Sequence, residues 1–448
     1  MNSLESYRRI VRNVVPVGLT GRVHGVRGLT VTVGDFPAPV GASCRIVRTG
    51  RGVDARVVGF TGRHTLVMPI GQCAGICKGD RVIFTSGEQS LGVGKSMLGR
   101  IIDGVGRPID GKGEIVCDAR AAIWPAPLGP MQRRRIDQPL ATGIRAIDGL
   151  LTVGKGQRMG IFSGSGVGKS VMLGMIGRYT AADVTVIALV GERGREVRDF
   201  VERDLGEEGL ARSVVVVSTS EDPPLLRVQA AAVAAAVAEF FRDRGLDVLL
   251  LMDSLSRLAS AQRTVALAAG EPPATRGYPP SVFNLLPELL ERSGRTERGS
   301  ITAFYTVLVE GDDFSEPVAD AVRSVTDGHI CLNRQLANQG HYPAVDVLAS
   351  ISRVMIDVAS QPQLAAAREI QGLMAAHAEI QDLISVGAYK TGANPRADLA
   401  IAAMPLVRDF LVQSISESSP LDQTMSRLAE LRGTIERISK DLQRGSQG

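Results

Sequence analysis

Gly164, Ser165, Gly166, Val167, Gly168, Lys169, Ser170 and Val171 stand in an order suited to holding a phosphate. Glycines let successive backbone N–H groups converge on one anion with no Cβ in the way, and a helix starting at the end of the turn adds partial positive charge. Lys169 would then reach the β- and γ-phosphates of a nucleotide, and the Ser170 hydroxyl would ligate Mg²⁺. The pattern G-x-x-x-x-G-K-[ST] asks for glycine first, whereas this chain has Ser163; a small residue can serve there. The competing reading, a glycine-rich connector that binds nothing, is weakened by what flanks the turn. An apolar run at 159–162 has the pattern of a buried strand, and VMLGMIGRYTAA after Ser170 suits a helix. A control lies upstream, where residues 92–96 also spell GVGKS. There Gln89 occupies the first-glycine position and IIDGVGRPIDGKG follows closely, so that stretch reads as a loop.

Strands and helices alternate from residue 142 to about 356, and the strands are continuously apolar, which predicts a parallel sheet covered on both faces. Ligands of such sheets sit at the carboxyl ends of strands. One such end is GERGREV, where the Glu192 carboxylate could polarise a water attacking the γ-phosphate and Arg193 stands beside it. Taken alone, Glu192 could equally be an acid stabilised by a helix N-terminus. A second end is LLLMDS, the form of a Walker B strand whose Asp253 would hold the magnesium shell. An Asp-Ser turn after a buried strand is common, so Asp253 draws its weight from Lys169 and Ser170.

The rest of the chain frames this segment. Its 448 residues suggest about three domains, and 44% hydrophobic content is ample for buried cores. A net charge of +4 and 4% aromatic residues give no argument for nucleic acid. Five scattered cysteines fit a reducing cytoplasm, and the lone C-x₃-C of Cys73 and Cys77 lacks a second ligand pair for zinc. His329, His341 and His377 have no partners at metal-ligand spacing, which leaves the nucleotide's Mg²⁺ as the expected metal. No secretory signal is visible, and the alanine-rich stretch 228–241 is too short and polar for a span of about 20 apolar residues. The chain is expected to be soluble.

Residues 1–15 form an amphipathic arm, packed on its own domain or docking a partner or an acidic membrane surface. Residues 16–98 carry short β-rich runs separated by glycine and proline, which suggests a small β-barrel. The α/β nucleotide-binding unit is placed at 99–356, its first part, 99–138, reading as a proline- and glycine-rich linker that wraps onto it, with Arg133, Arg134 and Arg135 as surface charge. Residues 357–448 are helical. Leu421, Met425, Leu428, Leu431, Ile435, Ile438 and Leu442 recur at three- and four-residue spacing, a face for packing or for a coiled-coil partner.

The phrases SGSGVGKS, GERGREVRDFVERDLG, LLLMDSLSRLASAQR, AAGEPPATRGYPPSVFNLLPELLERSG, GSITAFYTVLVEGDD and VADAVRSVTDGHICLNRQLANQGHYPAVDVLASISR resemble the rotary-type hexameric ATPases related to the α and β subunits of the F-type ATP synthase. More narrowly, the chain resembles the flagellar export ATPases and their type III secretion relatives, over nearly its whole length. The resemblance implies a RecA-like P-loop core between an N-terminal β-barrel and a helical C-terminal domain. It implies roles at matching positions: Lys169 and Ser170 on phosphate and magnesium, Glu192 as catalytic carboxylate, Asp253 as Walker B acid, and Arg193 and Arg257 near the γ-phosphate. Tyr342 in GHYPA matches the aromatic packed on adenine, and Arg353 in SISR the arginine finger inserted by a neighbouring subunit. A second aromatic face for the adenine has no counterpart near residues 410–415.

The implied function is an ATP-hydrolysing homohexamer that energises protein export. Implied partners are a regulator and a stalk protein, export substrates and their chaperones, and the implied location is cytoplasmic, peripheral to the inner membrane at the export gate. GLTVTVGDFPAPVGA looks more flagellar, EPVADAVRS and DVLASISR shared or injectisome-like. Two alternatives remain: a non-catalytic nucleotide-binding subunit of a mixed ring, against which Glu192 argues, and an RNA-translocating ring helicase of the termination-factor type, against which weak charge and few aromatics argue.

Overall fold

The computed structural model describes residues 18–48, 52–309 and 316–445, and the arm expected over residues 1–15 lies outside them. Strands Thr20–Arg27, Thr30–Gly34, Ser43–Val47, Gly52–Thr61, His64–Pro69 and Arg81–Ser86 close into a barrel. Alternation along them puts Val31, Val33, Ile46, Ala55, Val57, Val67 and Val82 inside. The outward-facing Arg56 is buried all the same, because the barrel wall rests on the helix Pro224–Arg242 and Arg56 Nη2 donates to Gln229 Oε1 at 2.6 Å.

Between the barrel and the central sheet the structure departs from the linker expected over 99–138. Arg100–Asp103 runs parallel to Ser213–Thr219 and closes one edge of the central sheet. It is fixed by Asp110, whose carboxylate pairs with Arg100 at 2.7 Å and accepts from the Ile101 amide at 3.1 Å. The upstream GVGKS splits between the strand Ser90–Val93 and a 3₁₀ turn Lys95–Met97; Gly94 has φ −175°, extended backbone with none of the left-handed glycines a phosphate cradle needs.

The central sheet runs Val345–Ser352, Gly328–Leu332, Arg158–Ser163, Ser300–Leu308, Asp247–Asp253, Val184–Glu192, Ser213–Thr219, Arg100–Asp103. All neighbours along it are parallel except the first pair. Every residue of Val184–Glu192 is buried, as a strand covered on both faces requires. One cover is Pro224–Arg242, whose alanines lie deep in the core. The helix runs longer than the 228–241 stretch read from sequence and, against that reading, is long and apolar enough to cross a membrane by length and composition, but it is an interior helix, 78% buried.

Three helices follow: Gln361–Ser385 and Pro395–Leu411, capped by the Ser360 hydroxyl and the Asn394 carbonyl, and Leu421–Gly445. Leu428, Leu431 and Ile435 of the last helix are buried against the others, whereas Leu442 near its end is exposed. The helical part is tied to the α/β unit by Arg145, 2% exposed, which donates to the Phe410 and Val412 carbonyls and ion-pairs with Glu417.

Candidate active site

The strand Arg158–Ser163 ends in the glycine turn, and the helix Lys169–Tyr179 begins directly after it. Gly166 and Gly168 sit at φ 77° and 90°, a left-handed geometry that side chains disfavour. Gly164 and Val167 are buried beneath the loop, Ser165 and Gly166 are exposed at its mouth, and Val171 is half-buried. Ser170 is exposed on the first helical turn, which contains no acid to offset the helix dipole. Ser163 is 1% exposed and its hydroxyl has no hydrogen-bond partner.

Parallel register brings the carboxyl ends of the neighbouring strands to the same edge: Ser163 pairs with Leu308, Met252 with Tyr305 and Leu189 with Asp253. Lys169 Nζ ion-pairs with Asp253 and stands 4.0 Å from Glu192 Oε1. Thr306 Oγ1 donates to Asp253 Oδ1 at 2.7 Å, fixing that carboxylate from the strand between. Glu192 Oε2 meets Arg257 Nη1 at 3.1 Å, and the same guanidinium donates to the Gly191 carbonyl. The close fit needs Gly191, at φ 73°, because a Cβ there would lie 3.1 Å from Arg257 Cβ.

Burial pushes the Glu192 carboxyl up to about 8, helped by a hydrogen bond shared with Glu196 and by repulsion from Asp253, and opposed by Lys169 and Arg257. Glu196 is held down correspondingly, first by that shared bond. Glu192 Oε1 is buried with no hydrogen-bond partner. Burial beside a phosphate turn raises the proton affinity of this carboxyl, so that in its ionised form it is a stronger base toward a water proton than an exposed carboxylate.

Among the residues singled out from sequence, one chain thus gathers Lys169, Asp253, Glu192 and Arg257, with Ser170 next to Lys169. Tyr342 is 44% exposed and borders the loop, since a Cβ on Gly168 would lie 3.4 Å from its ring. Arg193 stands at the rim of the same cluster: its side chain is 78% exposed and bonds Glu196 at 3.3 Å, the acid that shares a hydrogen bond with Glu192 and pairs with Arg257 at 4.0 Å. Arg353 lies past Ser352 on the antiparallel edge strand, its amide on the Asp327 carbonyl at 3.0 Å; Asp327 in turn bonds Arg158, the start of the phosphate-loop strand. That is the opposite end of the sheet.

Three residues had no signal in the sequence reading. Thr306 and Glu196 matter only through contacts across strands and a helical turn. Arg227, in the first turn after Pro223-Pro224, packs its Cδ near Gly191, and its buried Nε lacks a partner. The clue available was the strand Ser213–Thr219, whose carboxyl end faces the same edge.

Residues 143–352 match the nucleotide-binding domain of the ATP synthase alpha/beta family, and 359–430 match the T3SS EscN ATPase C-terminal domain. The chain is 50% identical over 434 residues to the flagellum-specific ATP synthase of Pseudomonas aeruginosa, covering 96% of each. It is 48% identical to the type 3 secretion system ATPase of Xanthomonas euvesicatoria, covering 92% of this chain and 93% of that one. The assembled ATPase EscN of enteropathogenic E. coli superposes with a TM-score of 0.87 at 42% identity, over 92% of this chain and 99% of EscN. A structure of EscN with its central stalk EscO gives 0.86 at the same identity and coverage. With relatives matched over nearly their full length and a phosphate loop, two acids and an arginine at one sheet edge, the chain belongs to the flagellum-specific and type III secretion ATPases of the ATP synthase alpha/beta family.

Proposed function

We propose that the chain is the catalytic subunit of a homohexameric motor that hydrolyses ATP to ADP and phosphate to drive type III protein export. Its proposed place is the cytoplasmic side of the inner membrane, at the export gate. The observation that carries the reading is the split of the chemistry. Lys169, Asp253, Glu192 and Arg257 converge at one end of the sheet, while Arg353 leaves from the other. The six residues of Arg158–Ser163 span roughly 17 Å at strand rise, so Arg353 serves a neighbour's phosphate loop rather than its own. A ring of head-to-tail contacts provides that arrangement.

In the loaded site, Lys169 would exchange Asp253 for the β- and γ-phosphates, and the loop amides would hold the phosphate chain. Glu192, oriented by Arg257, would take hold of the attacking water and draw off its proton. The Ser170 hydroxyl and the Asp253 carboxylate are hard oxygen donors that suit Mg²⁺, which when bound supplies charge neutralisation on the phosphates. Arg353 of a neighbour would stabilise charge on the transferring phosphoryl group. The assembled EscN, and EscN with its stalk EscO, support extending this reading to a stalk partner. The flagellar assignment rests on the barrel phrase and on identity of 50% to a flagellum-specific relative against 49% to a type 3 secretion one. The regulator, chaperones and export substrates are part of the same proposal.

Complementation tests it. Glu192→Gln lacks the base but keeps the finger, and Arg353→Ala the reverse. Each alone should turn over at least about a hundredfold more slowly. A mixture of equal parts should regain activity at roughly one interface in four, where a good base meets a good finger. A mixture no faster than its components, or full turnover in Arg353→Ala alone, defeats the shared site.

A further inference from the structure

Gln413 is 2% exposed and knits three separate stretches of chain. Its amide donates to the Tyr342 carbonyl at 2.9 Å. Its side-chain Oε1 accepts from the Arg145 amide at 2.9 Å, and its Nε2 donates to the carbonyls of Gly143 and Glu417, each at 2.7 Å. Two residues on, the Ile415 carbonyl accepts from Arg178 and from the Tyr179 hydroxyl, both at 2.9 Å. Those two residues end the helix that begins at the phosphate loop. The frame closes through the Tyr342 ring, which abuts Gly168 at the head of that helix. Phe410, by contrast, is turned into the core against Gly149 and offers no second ring to a base.

We infer that Gln413 is a positioning residue for nucleotide-base recognition: its side chain anchors the loop whose backbone amide holds the Tyr342 carbonyl, which fixes the height of Tyr342 over the phosphate loop and couples that ring to the helical domain. The inference rests on Tyr342 being the residue that packs on the base. A buried amide with both its acceptor and its donor group engaged holds one geometry, because any displacement leaves buried polar groups unpaired. The loop amides and Lys169 would hold the phosphates, and Gln413 makes no hydrogen bond to any of them.

The experiment compares binding of ATP with binding of inorganic tripolyphosphate, which has the phosphates and no base, by calorimetry on the full chain. Gln413→Leu keeps the backbone amide on the Tyr342 carbonyl but removes the three side-chain hydrogen bonds that hold that amide in place; it should weaken ATP about tenfold, which is about 1.4 kcal/mol, and leave tripolyphosphate unchanged. Tyr179→Phe, which loosens the same loop from its exposed side, should move ATP in the same direction by less and covers the case in which Gln413→Leu fails to fold. Equal weakening of both ligands means plain structural damage and overturns the inference, as does unchanged ATP binding. Tyr342→Ala run alongside separates the two layers. If it leaves the ratio of the two affinities unchanged, the base-packing reading falls and the inference with it; if it shifts the ratio while the Gln413 variant does not, the inference alone falls.

Discussion

Arg56 and Gln229 at the contact of barrel and motor allow a quantitative test of what holds the two together. Arg56 is 8% exposed, meets one neutral acceptor, and has a buried Nε with no partner. Burial lowers its guanidinium from 12.5 to about 10. At about 1.4 kcal/mol per pKa unit, the interface opposes the charged form by about 3 kcal/mol. Arg56→Met removes that penalty but strands the Gln229 carbonyl oxygen, which costs about 1–3 kcal/mol. The single variant should therefore lie near wild type or slightly above it. Gln229→Leu strands the charge instead and should destabilise by about 3 kcal/mol. The double variant removes both polar groups and should exceed wild type by about 1–3 kcal/mol. Urea unfolding at pH 7, followed by circular dichroism and by fluorescence of Trp124, the single tryptophan, gives all four corners of the cycle. A double variant less stable than wild type, or an Arg56→Met as damaging as Gln229→Leu, refutes the claim that an uncompensated charge sits there. The pH sign follows from the same shift. Below about pH 10 both states hold the proton and the penalty is present in full; above it the folded state releases the proton first, so stability rises with pH.

Further outcomes follow from other buried groups. Ser163→Ala removes a buried hydroxyl with no partner and should raise the nucleotide-free stability by about 1 kcal/mol; a lower melting temperature would count against the orphan assignment. Burial pushes the Asp148 carboxyl up to about 7, against the opposing donations of Thr142 and Gly143. The unfolded value is about 3.9, so the folded state keeps a proton the unfolded chain has lost, and stability should fall as pH rises from about 4 to about 7. In Asp148→Asn that slope should flatten whatever happens to absolute stability; an unchanged slope assigns it to another group.

What could be read from the sequence is what local pattern encodes. The phosphate turn is contiguous, and its glycine spacing states a backbone geometry that the structure shows at Gly166 and Gly168. Asp253 was visible because an apolar run ending in an acid is also contiguous. The edge strand Arg100–Asp103 was not, since glycine and proline around it read as a linker and its partner lies beyond residue 212. Arg227, Glu196 and Thr306 acquire meaning only when three strand ends are laid side by side. The Arg56–Gln229 contact spans 173 positions and has no local signature at all. Arg193 is an intermediate case: the resemblance implies a place near the γ-phosphate, and the structure puts its exposed side chain on Glu196 at the rim of the cluster.

Among the described residues the strand Val345–Ser352 has a partner on one side only, and Leu348 and Ile351 on it are 45% and 46% exposed, with Ile356 beyond them at 63%. An unpaired strand with apolar side chains is a template for adventitious pairing. For the biochemist this makes the recovery of protein a variable in its own right. Whatever covers that edge in the proposed ring, losses to adsorption or precipitation through it will mimic a fall in specific activity. Recovery of soluble protein should therefore be measured in the same tubes as turnover, before any concentration dependence is credited to assembly.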